Sequence, residues 1–280
     1  MNRLFTAIMV GAMSLLLLFL LGLIASMVVE LVTTATARAP DSAEILFSLK
    51  LSLLTATAAS ILAMLFSIPV AYLLSRHDFR GKSVCDTLLD LPIVLSPIAL
   101  GAMLLIFFNT PVGKVIDRRL GPFVFEVKGI ILAQFFVVVG LSLRLLKTTF
   151  EGIDREYENI ARTLGCNKMQ TFVRVVLPLA RKGLLASFLL VWARAIGEFG
   201  ATVTLAGATT FKTETIPIAI FLSFESVDIS SALAFILILI TVSLAILFFV
   251  RRIKVFSYEG PPPSYPIAQL QDGPVRHGGH

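Results

Sequence analysis

Six long apolar runs leave this chain few choices of fold. They cover Leu4–Val29, Ile45–Leu74, Leu88–Phe108, Gly129–Leu146, Leu184–Ala206 and Ile229–Val250. A helix needs about 20 apolar residues to cross about 30 Å of hydrocarbon. In lipid every backbone polar group must also bond within the protein. The runs therefore predict six membrane-spanning helices and an all-α transmembrane fold. The first two exceed the minimum length, which predicts tilt, bending or extension beyond the bilayer. Composition agrees: 15% of the 280 residues are charged, against about 25% in soluble domains. A competing reading of the first run, a cleaved signal ending at Ala35-Thr36-Ala37, fails on length, because a signal core spans only about 7–15 residues.

Basic residues set the expected orientation. Lys and Arg collect on the cytoplasmic side of membrane proteins. With the N-terminus inside, the inner segments carry 16 of them and the outer segments 7, with Arg194 left inside the fifth run. The chain is thus expected to be multi-pass in the cell (inner) membrane, N-in and C-in. Topology accounts for the net charge of +6. No stripe of Lys and Arg interleaved with aromatics points to nucleic acid. Cys85 and Cys166 fall in expected cytoplasmic loops, where a structural disulfide is not expected. No Cys/His cluster has metal-ligand spacing, and His277-Gly278-Gly279-His280 reads as a frayed terminus. Prolines and glycines dominate after Val250. The expected organisation is a first helix and external loop (1–44), a core of five helices (45–250) and a disordered cytoplasmic tail (251–280).

Two regions depart from simple apolar rods. In the third run, Pro92 and Pro97 each remove a backbone donor and clash with the preceding turn. The freed carbonyls need partners, so this run is expected to pack inside the bundle, kinked or partly unwound. The alternative is a kinked lipid-facing helix. The second region is the loop 151–182. Acids at Glu151, Asp154, Glu156 and Glu158 precede Ile160-Ala161-Arg162-Thr163-Leu164, then Gly165, then the amphipathic stretch Met169–Leu177. Early acids and a glycine stop predict helix–turn–helix, with Pro178 breaking the chain before the fifth span. Ile160, Leu164, Phe172, Val173, Val176 and Leu177 are too apolar for a solvated loop. They call for a partner surface, the underside of the bundle, or a place on the bilayer surface.

This loop resembles the signature loop of ABC importer permeases, which reads Glu-Ala-Ala, three residues, Gly, nine residues, Ile, one residue, Leu-Pro. Here Asn159-Ile160-Ala161, Gly165 and Val175-Val176-Leu177-Pro178 stand at that spacing, with Asn for the family's Glu and Glu158 next door. The resemblance implies a six-helix type I permease bundle. It also implies a coupling helix between spans four and five that docks on an ATPase, through Glu158, Asn159, Ala161, Arg162, Gly165, Phe172, Leu177 and Pro178.

The fifth run carries the other constellation. At a spacing of four, Ala193, Gly197 and Ala201 form a small-residue stripe, and Arg194, Glu198 and Thr202 a polar one. Small residues allow close helix approach, and a charged pair in a membrane helix faces the bundle interior or a water-filled path. Arg194 and Glu198 can pair along the helix. This face lines a translocation route, together with Pro92 and Pro97, or the dimer seam; the alternative is a pair that only locks helices together. Arg194-Ala-Ile-Gly-Glu-Phe-Gly-Ala-Thr202 and Thr213-Glu-Thr-Ile-Pro-Ile-Ala219 resemble the molybdate and tungstate permeases, and Leu91-Pro92 to Gly101 resembles the wider oxyanion group. The related sulfate permeases typically have Tyr at the Phe199 position. The resemblance spans roughly Ile45 to Val250. It implies a second copy of the chain, two ATPase subunits and an external oxyanion-binding protein, with Arg118 and Arg119 as candidate docking residues for the last. The chain has no Gly-x4-Gly-Lys-Ser/Thr loop, so ATP and Mg belong to the partner ATPase, and this chain is expected to hold no cofactor. Two other classes compete. A membrane enzyme needs convergent catalytic groups within the spans, yet His77, His277 and His280 all lie outside them. A gradient-driven transporter with inverted repeats has no need of the loop 151–182.

Overall fold

The structure, a computed structural model, describes residues 3–34 and 41–252. The triplet Ala35-Thr36-Ala37, the tail beyond Arg252 and the two C-terminal histidines lie outside the described residues. The elements are α1 (Arg3–Thr34), α2 (Ser42–Arg76), α3 (Lys82–Val94), α4 (Pro97–Asn109), α5 (Pro111–Leu120), α6 (Val127–Glu151), α7 (Arg155–Thr163), α8 (Lys168–Thr171), a π turn (Phe172–Val176), α9 (Leu177–Ile196), α10 (Gly200–Ala206), α11 (Ile216–Glu225) and α12 (Ile229–Arg252). Among the described residues, five helical rods are long and apolar enough to cross a membrane, and a sixth crossing exists if α3 and α4, bent by 108°, count as one span.

The core is built on α2 and α6, which pack together more extensively than any other pair. The sequence of α2 explains this. Ser48, Ser52, Thr55, Ala56, Ala59, Ser60, Ala63, Ser67 and Ala71 are all buried, and small side chains let backbones approach closely. Ser67 Oγ donates to Val139 O at 3.5 Å and Ser142 Oγ to Met64 Sδ at 3.5 Å. On the other flank of α2, Trp192 Nε1 of α9 donates to Thr57 Oγ1 at 3.0 Å.

The third run is unwound at its centre, which divides it into two helices. Leu95 and Ser96 are extended, Ser96 Oγ accepts from Ala99 N at 3.3 Å, and Pro97 takes the first helical position of α4. Proline is pre-organised for that position, where its missing N–H costs nothing. Pro92 sits inside α3 without breaking it. The expectation that this run packs inside the bundle holds for α4, which buries Leu100, Gly101 and Phe108. It fails for α3, which buries no residue. α3 instead lies along α6, joined by Lys147–Asp86 at 2.6 Å and Arg144–Asp90 at 3.4 Å. The fifth run also divides: α9 ends at Ile196 and α10 begins at Gly200.

α4 and α10, the inner halves of the two broken runs, meet at glycine. A methyl group at Gly101 would lie 2.8 Å from both Ala201 O and Thr204 Cβ. Overpacking such a contact costs about 1–3 kcal/mol. Gly101→Val is expected to lower the thermal midpoint of the purified protein by several degrees, in line with that cost. Gly22→Ala, where nothing lies within 4 Å, is expected to leave the midpoint unchanged.

Candidate functional site

The segment 151–182 folds by local rules. Asp154 caps α7 by accepting from Glu156 N at 2.9 Å. Glu156 and Glu158 occupy the first turn and Arg162 the last, each placed favourably for the helix dipole. The stop is a Schellman turn. Gly165 has φ +90°, its N–H donates to Arg162 O, and Cys166 N–H donates to Ala161 O, both at 3.1 Å. Glycine enters this left-handed conformation without a Cβ penalty. A capping box then restarts the helix, with Gln170 N on Asn167 Oδ1 at 2.8 Å and Asn167 N on Gln170 Oε1 at 2.9 Å.

The expected break at Pro178 is absent. Lys168–Ile196 is one 29-residue helix, and Pro178 lies within the first turn of α9. The reason lies just upstream. In the π turn, Leu177 N–H reaches back to Phe172 O, and this wider turn precedes the residue that cannot donate.

This segment has two unlike faces. Ala161 and Val176 are buried. Phe172 packs its ring 4.6 Å from Tyr72, which in turn sits 5.7 Å from Phe150. Tyr157, Ile160, Leu164, Met169 and Val173 are bare, with Leu164 80% exposed. Asn159, Arg162 and Pro178 are also exposed, and Leu177 is half-buried. Glu158 turns inward. Its Oε1 pairs with Arg76 Nε at 2.6 Å, and its Oε2 accepts from Tyr72 Oη at 2.7 Å.

At the break in the fifth run, the expected pair is present: Arg194 Nη1 lies 2.7 Å from Glu198 Oε2. Its setting differs from the expected stripe. Glu198 lies beyond the end of α9 and is fully buried, and its Oε1 accepts from Ala201 N at 3.0 Å. Glu198 thereby supplies a partner to an otherwise orphan donor of α10. Arg194 is 40% exposed, whereas Thr202 is fully buried on α10. The polar residues therefore share no continuous face, because the helix ends between them. Gly197 does not seat a neighbouring helix within this chain, since a methyl there would meet only Ala193 O at 4.0 Å. The close approach uses Gly200, where a methyl would lie 3.2 Å from Pro97 Cβ. Pro97 thus joins the break that holds Arg194 and Glu198, whereas Pro92 remains on the peripheral α3. Phe199 packs on Phe221 of α11 at 5.3 Å. Arg118 and Arg119 end α5 and are exposed.

Sequence reasoning assigned no role to the loop 207–215, although Thr213-Glu214-Thr215 carried part of the resemblance. Thr213, Glu214 and Thr215 are fully buried. Glu214 Oε2 accepts from Phe211 N at 2.9 Å, and Ile216 N donates to Ser52 Oγ at 2.8 Å. Lys212, the adjacent cation, is committed to Glu126 at 2.6 Å. Burial, opposed by the Phe211 N–H and aided by Glu44 of α2, raises the Glu214 carboxyl to about 7. The signal was a Glu flanked by two threonines before a proline-capped apolar helix.

The folded state holds the Glu214 proton more tightly than the unfolded chain does. Its stabilising contribution is complete below the ordinary carboxyl value and is lost as pH rises through about 7. Thermal stability measured between pH 5 and pH 8 is expected to fall with rising pH. Glu214→Gln is expected to flatten that slope.

Comparisons with known proteins agree with this architecture. The profile of a family described as binding-protein-dependent transport system inner membrane component matches residues 63–254. A probable molybdenum ABC transporter permease protein of Haloferax volcanii is 36% identical over 208 residues, covering 74% of this chain and 75% of its own. A molybdenum transport system permease protein of Haemophilus influenzae is 36% identical, covering 62% and 77%. A sulfate transport system permease protein of Salmonella typhimurium is 32% identical, covering 75% and 77%. Among solved structures, a bacterial ABC transporter involved in the import of the acidic polysaccharide alginate superposes with a TM-score of 0.72 at 15% identity, over 91% of this chain and 96% of that one. At that identity the likeness concerns the fold. With the profile covering more than half of its residues, the chain belongs to the family of binding-protein-dependent transport system inner membrane components.

Proposed function

We propose that this chain is the permease subunit of an ATP-driven importer of molybdate or tungstate. The observation that carries this reading is the two-faced segment 151–182. One face grips the bundle through Ala161, Phe172 and Val176, and the other leaves Ile160, Leu164 and Met169 bare. An exposed apolar patch rimmed by polar groups marks an interaction site. An ATPase subunit is the partner that the family offers to it. Two copies of the chain would enclose the path, and ATP binding to the paired ATPases would swing the spans between inward and outward openings. ATP and Mg would be held by that partner.

The finer topology belongs to the same proposal. α3 and α4 together act as the third of six spans, the 151–182 end faces the cytoplasm, and both termini lie there. The 16-to-7 distribution of basic residues supports this orientation. The Arg194–Glu198 pair stands beside the path. Glu198 largely cancels the pull of Arg194 on an anion, which suits a conduit that must release its cargo. Tight capture then falls to an extracytoplasmic binding protein, which meets the outer face near Arg118 and Arg119. The cargo assignment rests on two relatives that carry molybdenum in their names and on Phe199. The sulfate permease among the relatives keeps sulfate as the second reading.

Uptake of labelled molybdate into proteoliposomes holding the permease, its ATPase and its binding protein tests the assignment. ATP-dependent uptake blocked by excess tungstate and not by sulfate is expected. Block by sulfate would transfer the cargo to that anion, and indifference to ATP in an intact complex would refute the ABC reading. Gly165→Asp, which puts a charged side chain at φ +90° beside the docking face, is expected to abolish uptake while the chain stays folded in the membrane. Reversing both Arg118 and Arg119 to Glu is expected to raise the binding-protein concentration needed for half-maximal uptake. No change would remove them from the docking surface.

A further inference from the structure

Glu158 is one residue away from the position where the family's signature carries its acid, and that step changes which way the carboxylate faces. Successive residues of an α-helix are rotated by about 100°. Asn159 occupies the signature position and is exposed, whereas Glu158 faces α2. A carboxylate at 159 would be presented to a docking partner. The one at 158 is spent within the chain.

What it meets is a joint of several polar contacts. Arg76 and Glu158 are 6% and 14% exposed, so water and salt screen their attraction weakly. Tyr72 Oη adds a second bond to the same carboxylate. Arg76 Nη2 also donates to Ile153 O at 2.8 Å, and Arg155 Nη2 donates back to Ser75 O at 3.1 Å. Four polar contacts thus tie the last turn of α2 to residues 153–158. Tyr72 extends the joint to the π turn through its ring contact with Phe172.

Connectivity shows what the joint does. The segment 151–182 continues covalently into α6 on one side and, through one unbroken helix, into α9 on the other. It has no covalent link to α2. The Arg76–Glu158–Tyr72 contacts supply the polar part of that link, beside an apolar cluster that joins Ala71 and Tyr72 of α2 to Phe172 and Val176. α2 packs most extensively against α6 and also touches α9 and α11. We propose that Glu158 is a transmission residue rather than a docking residue: with Arg76 and Tyr72 it forms a clamp that makes α2 move together with the docked loop. This inference rests on the permease reading above. It assigns to Glu158 a role facing the bundle, where the resemblance implied one facing the ATPase.

The test measures anion uptake and ATP hydrolysis on the same reconstituted complexes, starting with the parent protein. ATP-driven uptake by the parent establishes the permease reading, and its absence would overturn both that reading and the clamp. Given an active parent, Glu158→Gln and Arg76→Gln are expected to lower the anions moved per ATP by about tenfold, the factor corresponding to loss of a charge-assisted bond of about 1.4 kcal/mol. ATPase binding and ATP hydrolysis are expected to stay within about twofold of the parent, since such a change corresponds to under about 0.5 kcal/mol. Tyr72→Phe, which removes one hydroxyl and keeps the ring, is expected to give a smaller loss in the same direction. The exchanged variant carrying both Arg76→Glu and Glu158→Arg is expected to recover part of the coupling ratio. Weakened ATPase binding in Glu158→Gln with an unchanged coupling ratio would overturn the proposal and return Glu158 to the docking face. Equal loss of uptake and hydrolysis in all variants, without recovery in the exchange, would reduce the contacts to structural support and also overturn it.

Discussion

In hydrocarbon, a backbone group released from a helix has no water to turn to, so each interruption must bring its own replacement partner. The interruptions here obey that constraint. At Leu95–Ser96 the Ser96 hydroxyl receives Ala99 N. At Gly197–Phe199 the Glu198 carboxylate receives Ala201 N. Ahead of the fifth apolar run, the π turn likewise passes Leu177 N–H to Phe172 O. Two of these breaks create short inner helices, α4 and α10, and their meeting at Gly101 and Gly200 depends on the absence of side chains at those positions. Remove a cap and the inner helix loses its start. Fill a glycine and the two no longer fit.

The same logic separates what was legible in the sequence from what was not. Apolar length predicted the long rods because crossing hydrocarbon is a one-dimensional requirement. The acids of α7, Gly165 and the spacing to Leu177-Pro178 predicted helix–turn–helix, since caps and left-handed glycines act over a few residues. Pro178 was misread because a proline signals only a missing donor, and the wider turn upstream removes the need to stop. The third and fifth runs looked continuous in hydropathy although each contains a break, sharply bent in the third, because hydropathy does not register an interrupted hydrogen-bond ladder. Only Ser96-Pro97, a cap followed by a first-turn proline, carried the first break in its letters.

Candidate site residues sorted along the same line. Arg194 and Glu198 were found because four residues is the pairing distance on a helix, but Thr202 was carried along by a periodicity that ends at Ile196. Glu158 was placed in the segment without its intrachain partner, since Arg76 lies 82 positions earlier and no local pattern announces it. Glu214 had no assigned role because its significance is burial against α2, a property of tertiary packing alone. The hydroxyl-rich face of α2 could have warned of this. Serines and threonines at close intervals in an apolar helix indicate a neighbour near enough to bond.

α1 is the exception to this interlocking. The apolar window of Phe5–Glu30 has no buried residue, and the main contact of α1 is with α12, at the other end of the sequence. It also lies ahead of the residues 63–254 that match the family profile. A helix that leans so little on its own fold is held in place chiefly by the lipid around it. It is therefore free to be oriented by whatever lies beside it in the bilayer, and its sequence answers to hydrophobic thickness more than to shape. The interlocked core tolerates few exchanges at its glycines and caps. The first helix can drift in sequence as long as it stays apolar.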